Sequence, residues 1–185
     1  MIKKLKGCAL VALLVAAPLA VAKDDETKSL IGFEGGVSNI KIETSTTPLV
    51  DDTFNATHGG IKIGAESKDF RFFLNFNYLD ASEFDTATTY GASLQYLLNV
   101  SQYMNVFAGV NAGRVDFRLL DSANNVTAVK DTYFGGDLGV NIHLGETMDL
   151  ELGGRYMNIS GKTAAYEVRN AVAGYGSLIF KFQMD

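Results

Sequence analysis

The stretch Phe134 to Tyr156, FGGDLGVNIHLGETMDLELGGRY, decides how this chain folds. Leu138, Val140, Ile142 and Leu144 share one parity, while Asp137, Asn141 and His143 share the other. After Gly145-Glu146-Thr147 the alternation resumes, with Met148, Leu150, Leu152 and Tyr156 set against Asp149, Glu151 and Arg155. A period of two marks a strand with two unlike faces. A three-residue turn at 145–147 makes the two runs a hairpin, with His143 opposite Asp149, Asn141 opposite Glu151 and Asp137 opposite Arg155.

Outward from this hairpin the same period recurs, giving eight expected strands at 29–42, 59–67, 70–79, 88–98, 104–117, 131–144, 148–158 and 170–183. Tight turns around Lys68-Asp69, Val100 to Gln102 and Gly145 to Thr147 join strands two to three, four to five and six to seven. The other joins are long and polar, expected across 43–58, 80–88, 118–130 and 159–169. An up-and-down meander collects all short turns at one end and all long loops at the other, the asymmetry of outer-membrane barrels. The turn at Lys68-Asp69 sets Glu66 opposite Arg71, Gly64 opposite Phe73 and Lys62 opposite Asn75.

Which face is apolar separates a membrane protein from a soluble carrier. One parity carries Ile31, Phe33, Val37, Ile61, Ile63, Phe72, Leu74, Phe76, Leu94, Leu138, Leu152 and Leu178, with no charge anywhere along it. The other carries Glu34, Lys62, Glu66, Arg71, Asp137, His143, Asp149, Glu151, Arg155 and Lys181 among glycines, serines and amides. A soluble barrel holding a greasy ligand puts its charges outside. Here the smaller, polar set fits a narrow lumen and the apolar set fits lipid, where a charge near mid-membrane costs roughly 2 to 4 kcal/mol. The expected fold is therefore all-β: a closed, antiparallel, eight-stranded, up-and-down transmembrane β-barrel. Closure is required because an open sheet edge in hydrocarbon strands its backbone donors and acceptors. A barrel of this strand number is filled by its own side chains, so no large pore is expected.

The ten ionisable residues just named form the expected lumen network. Asp137 with Arg155, and Glu66 with Arg71, are its expected ion pairs, and Lys181 is expected to complement Glu34 across the closing seam. Tyr78, Tyr90 and Tyr156 near the loop-side ends, and Tyr96, Phe180 and Phe182 near the turn side, are expected to mark the membrane interface. Ordinary cross-strand aromatic packing is the plainer account of the same residues.

Composition agrees. At 185 residues the chain is one domain by the usual length prior. It is 47% hydrophobic and 20% charged with two prolines, which excludes long disorder; 19 glycines, 12 Phe and 8 Tyr favour glycine-punctuated strands. A net charge of -5 argues against a nucleic-acid partner, whose modules carry a basic stripe.

Residues 1–22 read as a cleaved secretory signal. Lys3, Lys4 and Lys6 form the positive n-region, Leu10 to Ala17 the apolar h-region, and Ala20-Val21-Ala22 a small-residue cleavage site. A membrane anchor needs a longer apolar run of about 20 residues. Residues 23–28 form a short polar tail and 29–185 the barrel. Cys8, the one cysteine, falls inside the signal, so thiol catalysis and cysteine-ligated metals are excluded from the expected mature chain.

The signal, the eight amphipathic strands, the stretches Gly135 to Leu144 and Leu150 to Tyr156, and the closing Leu178-Ile179-Phe180-Lys181-Phe182 resemble small outer-membrane barrels. The class is that of OmpX, the barrel half of OmpA and the opacity-like surface proteins, and the resemblance covers essentially the whole expected mature chain. It implies a monomer with periplasmic termini and four external loops. It also implies contact with outer-membrane lipid and lipopolysaccharide, insertion by the barrel-assembly machinery, and a structural or surface-interaction role: envelope integrity, adhesion, or recognition of an extracellular ligand through the loops. Two departures stand out. Family members commonly finish on an aromatic residue, whereas this chain runs past Phe182 to Gln183-Met184-Asp185, and no peptidoglycan-binding segment is expected after the barrel.

A lipid A-modifying enzyme and a narrow channel for small solutes are the alternatives. The deacylase pattern of the class places His and Ser two residues apart on an outward face. His143 is followed by Leu144-Gly145 and His58 by Gly59-Gly60, so that spacing is absent. A Ser, His and acid set assembled from distant strands needs base and hydroxyl within hydrogen-bond reach, and nothing in the sequence points to one. His143 reads as a satisfied lumen partner of Asp149. His58 with Asp51 and Asp52 lacks compact metal-ligand spacing, and no cofactor is expected. The glycines of 109–113 and 135–139 belong to strands and precede no helix, so they are not phosphate cradles.

Overall fold

The computed structural model describes residues 27–44, 51–81, 84–120, 126–162 and 166–183. The signal at 1–22 and most of the tail at 23–28 lie outside them. Eight strands follow in order: β1 (Lys28–Thr44), β2 (Asp51–Glu66), β3 (Phe70–Asp80), β4 (Phe84–Ser101), β5 (Met104–Leu120), β6 (Val126–His143), β7 (Met148–Lys162) and β8 (Tyr166–Gln183). Each pairs antiparallel with its neighbours, and β1 pairs with β8 to close the cylinder. No backbone edge is left along the wall, as hydrocarbon requires.

Register follows the tight turns. Glu66 faces Arg71, Gly64 faces Phe73 and Lys62 faces Asn75 across the β2–β3 turn. His143 faces Asp149, Asn141 faces Glu151 and Asp137 faces Arg155 across the β6–β7 turn. Each turn is also tied sideways: Leu97 N–H donates to the Asp69 carbonyl, His143 N–H to that of Tyr103, and Lys181 N–H to that of Thr147, each at 2.8 Å. That lateral lacing satisfies backbone groups that a free hairpin would leave to water.

The strands outrun their expected ends on the loop side. Expected loop residues 51–58, 84–88, 118–120, 126–130, 159–162 and 166–169 all lie in strands. Crossing a bilayer takes about 9 to 11 residues of tilted strand, yet β4, β6 and β8 each run 18. The surplus was hidden because hydrophobicity reverses there. Near the turns the outward positions are apolar, as at Phe33, Leu74 and Leu138, the last 70% exposed. Beyond Tyr78, Tyr90 and Tyr156 the outward positions become Asp80, Thr88 and Asn158, while the inward ones become apolar. Ile40, Ile42, Leu79, Val115, Phe117, Val129, Met157, Ile159 and Val168 pack together there. A polar outer face had read as loop, whereas it is the solvated side of a wall whose ladder continues.

Candidate functional site

Below that apolar core the lumen is packed with charge. Glu34, Lys62, Arg71, Asp137, Asp149, Glu151, Arg155 and Lys181 are buried, and Glu66 and His143 are partly so. All ten project inward because strand parity puts them there.

The contacts of all but Asp137 form one continuous web. Arg155 donates both terminal nitrogens to Glu34, at 2.9 and 3.1 Å. Lys62 bridges Glu34 and Glu151, at 2.7 Å to each. Arg71 reaches Glu151 at 3.1 Å, Asp149 at 3.0 Å and the Asn141 side-chain oxygen at 3.3 Å, and it grips Glu66 through Nε and Nη2. Lys181 closes the web on Glu66 at 2.9 Å and Asp149 at 2.7 Å. His143 Nδ1 lies 2.8 Å from Asp149. A buried charge is tolerated only when paired and hydrogen-bonded, and four cations here meet five acids once Asp137 is included, which accepts from Gln95 at 2.8 Å.

Two expected partnerships differ. Asp137 and Arg155 share a rung, but the guanidinium fork lies on Glu34 of β1, two strands away past β8. Lys181 does not complement Glu34; it sits beside Leu30 in the seam and turns to Glu66 and Asp149. Both differences come from shear, which sets which residues share a level across the cylinder and which turn lengths leave open.

Four aromatic side chains lie inside the lumen opposite glycines, and of these the sequence reading places only Phe73, opposite Gly64. Phe73, Phe107, Tyr133 and Tyr175 each face a cross-strand glycine: Gly64, Gly139, Gly113 and Gly153. A Cβ added at Gly64 would lie 2.7 Å from Phe73 Cδ1, and one at Gly153 would lie 2.7 Å from Tyr175 Cζ, so the missing side chain makes room for the ring. The signal was readable, since an aromatic on the polar parity opposite a glycine marks such a pair. Tyr175 lies under Lys62 at 4.4 Å and Arg155 at 4.6 Å, and Phe73 lies under Lys62 at 5.4 Å, so the rings add cation–π contacts to the web.

A serine, histidine and acid do come together, from β1 and β2. Ser38 Oγ lies 2.9 Å from His58 Nδ1, and His58 Nε2 lies 3.5 Å from Glu34. Their order could not be read from the sequence because rungs 38–56 and 36–58 join a strand to what had read as loop. The adjoining cavity measures about 10 Å³ and is lined by Ser38, His58, Asn77, Leu79, Thr89 and Arg155 among others. That is room for about one water, not for a substrate. A larger cavity of about 530 Å³ opens at the turn end beside Lys28, Lys68, Asn105 and His143. Among the described residues no group of three His, Cys, Asp or Glu is placed to hold a metal ion.

The aromatics expected at the interface all face outward. Tyr78, Tyr90, Tyr96, Tyr156 and Phe182 are exposed and Phe180 is half-buried. Tyr96 packs edge-on with Phe70 at 5.3 Å between ring centroids, and Phe180 with Phe33 at 6.5 Å. Interface marking and ring packing are thus not exclusive.

A sealed antiparallel cylinder with a greasy exterior and ions inside belongs to the class of small eight-stranded outer-membrane barrels. The family model for the outer membrane protein beta-barrel domain matches residues 7–177, and the chain belongs to that family. No curated protein matches the sequence. Among solved structures, Neisserial surface protein A is 17% identical with a TM-score of 0.67, over 83% of this chain and 97% of that one. The N-terminal β-barrel domain of Pseudomonas aeruginosa OprF is 9% identical with a TM-score of 0.57, over 82% and 97%. Ail, the attachment invasion locus protein of Yersinia pestis, solved with a heparin analogue, is 11% identical with a TM-score of 0.50, over 85% and 99%. At these identities the likeness is one of fold.

Proposed function

We propose that the protein is a monomeric, non-conducting surface barrel of the outer membrane, with tight turns and termini in the periplasm and its loop end outside. Its role is structural or surface-interacting: envelope integrity, adhesion, or recognition through the loop end. It does no chemistry. The observation that carries this reading is the double closure of the lumen, by the ion web at one level and by the apolar core at the next. Recording from the folded protein in planar bilayers tests it. Baseline current is expected, and a steady large conductance would overturn the reading in favour of a solute channel.

The second reading, a lipid A-modifying enzyme, has one observation behind it, the Ser38–His58–Glu34 array. Three features oppose it. The array faces the lumen and not lipid, its cavity holds about one water, and Glu34 is already committed to Arg155 and Lys62. Lipid A mass spectra are expected to be the same with and without expression of the protein. A mass change that Ser38→Ala abolishes would establish the enzyme instead.

A further inference from the structure

Asp137 is the lumen acid that the web leaves out. It is 4% exposed and precedes Leu138, which lies in the lipid-facing band. Its rung neighbour Arg155 holds Glu34 with both terminal nitrogens, and the Arg155 Nε finds no acceptor among the described residues. Neither lumen histidine serves Asp137, because His143 lies on Asp149 and His58 beside Ser38 and Glu34. Gln95 Nε2 donates to Asp137 Oδ2 at 2.8 Å, but Asp137 Oδ1 has no hydrogen-bond partner among the described residues. The same holds for three amide oxygens on the same stretch of wall, Gln95 Oε1, Asn111 Oδ1 and Asn75 Oδ1, all on side chains more than nine-tenths buried. Gln95 cannot turn its amide over without setting oxygen against the carboxylate, and Asn75 already donates to Ser93 Oγ at 3.2 Å.

Strand register gathers these oxygens and glycines make room between them. Gly109 pairs with both Gln95 and Asp137, while Asn111, next along the same face of β5, pairs with Ser93 and Gly135. A Cβ added at Gly109 would lie 2.9 Å from Asp137 Oδ1 and 3.0 Å from Gln95 Cγ, and one at Gly135 would lie 3.1 Å from Asn111 Oδ1. The patch is therefore a cradle with a carboxylate oxygen, amide oxygens around it and one unengaged amide donor, Asn111 Nδ2. It has an excess of acceptors and an excess of negative charge. Water supplies donors but no charge, and a buried carboxylate without a counter-charge is costly. Oxygen donors without thiolate or imidazole suit hard cations. Calcium sites usually bring several carboxylates, whereas this cradle has one, which matches a single positive charge. The wider lumen agrees, since its five acids exceed its lysines and arginines by one. We infer that Asp137, with the side-chain oxygens of Gln95 and Asn111 and with Asn75 beyond Ser93, is a binding site for a monovalent alkali cation inside the barrel wall.

The test uses the whole barrel refolded into uncharged detergent micelles in sodium, potassium or choline chloride at equal ionic strength. It reads the unfolding temperature by circular dichroism in a fixed concentration of urea. The wild type is expected to melt higher in sodium or potassium than in choline, and the rise should grow with the logarithm of alkali concentration, as binding to the folded state alone requires. Arg169→Gln, a surface-charge control, is expected to keep that dependence. Asp137→Asn, which removes the charge and keeps the shape, is expected to melt at the same temperature in all three salts. Asn111→Ala, which keeps the carboxylate and removes one oxygen, is expected to shift the dependence to higher alkali concentration, and it decides the matter if Asp137→Asn fails to fold. Equal melting of the wild type in all three salts would overturn the site, because water or a proton on Asp137 would then suffice. Full wild-type dependence in either Asp137→Asn or Asn111→Ala would overturn it too, by placing the cation effect elsewhere.

Discussion

Along β7 the inward positions read Asp149, Glu151, Gly153, Arg155, Met157 and Ile159, and the change of chemistry comes with no change of parity. At the level of Glu151 and Arg155 the wall turns Leu152 and Tyr156 outward and ions inward; at the level of Ile159 it turns Asn158 outward and aliphatic side chains inward. One hydrogen-bonded ladder thus passes from a membrane barrel to a water-soluble one. Pairing sets which way a side chain points, and the surrounding solvent sets which side chain is tolerated there. In lipid the exterior must be apolar and the interior is free to hold paired ions; in water the exterior is free and the interior must supply the hydrophobic burial that lipid no longer makes irrelevant.

The contrast can be broken most sharply in the ionic half. Arg71→Met leaves Glu66, Asp149 and Glu151 short of their shared cation, and loss of one partner of a buried ion cluster costs about 3 to 5 kcal/mol. Urea unfolding in detergent micelles, followed by gel migration, should show that loss. An outward charge separates the two halves directly. Leu138→Arg should cost about 2 to 4 kcal/mol in a bilayer, whereas Asn55→Arg, also outward but beyond the apolar band, should stay within about 0.5 kcal/mol. Equal effects would mean that the band does not end where the tyrosines lie. In the apolar half Ile159→Val should cost about 0.5 to 1.5 kcal/mol by the same unfolding assay, through the small void it opens. The smallest effect belongs to the exposed pair: Lys130→Ala should cost about 0 to 1 kcal/mol. That loss should vanish in molar salt, while the cost of Arg71→Met should persist because buried pairs are poorly screened.

Alternation was enough to find all eight strands, their order, the inward and outward sets and the rungs beside two tight turns, because each depends only on a period of two and a turn length. It failed where the decisive quantity is not local. The partner of Arg155 depends on the tilt of the whole cylinder, so the rung neighbour Asp137 was a natural choice and Glu34 could not be reached by counting. Strand length failed for a different reason. Asn55 and Thr57 look like loop when apolar outward positions are the guide, yet they continue a ladder with Asn39 and Val37. The same blind spot hid Ser38 and His58, whose meeting depends on that upper ladder. The interior rings opposite glycines were visible in the sequence, but two residue types of different size had to be read as one cross-strand unit.

The wiring of the web bears on how the cylinder is sealed. Glu34 lies on the first strand and Arg155 on the seventh, while Lys181 on the last strand answers to Glu66 on the second. Neither of these two pairings can form within an isolated hairpin, so a half-built sheet lacks both until the ends of the chain lie side by side. A cylinder zipped one rung out of step would leave these ions facing the wrong neighbour. The contents of the lumen therefore proofread its own seam, and the sequence that fills the barrel also certifies that it was shut correctly.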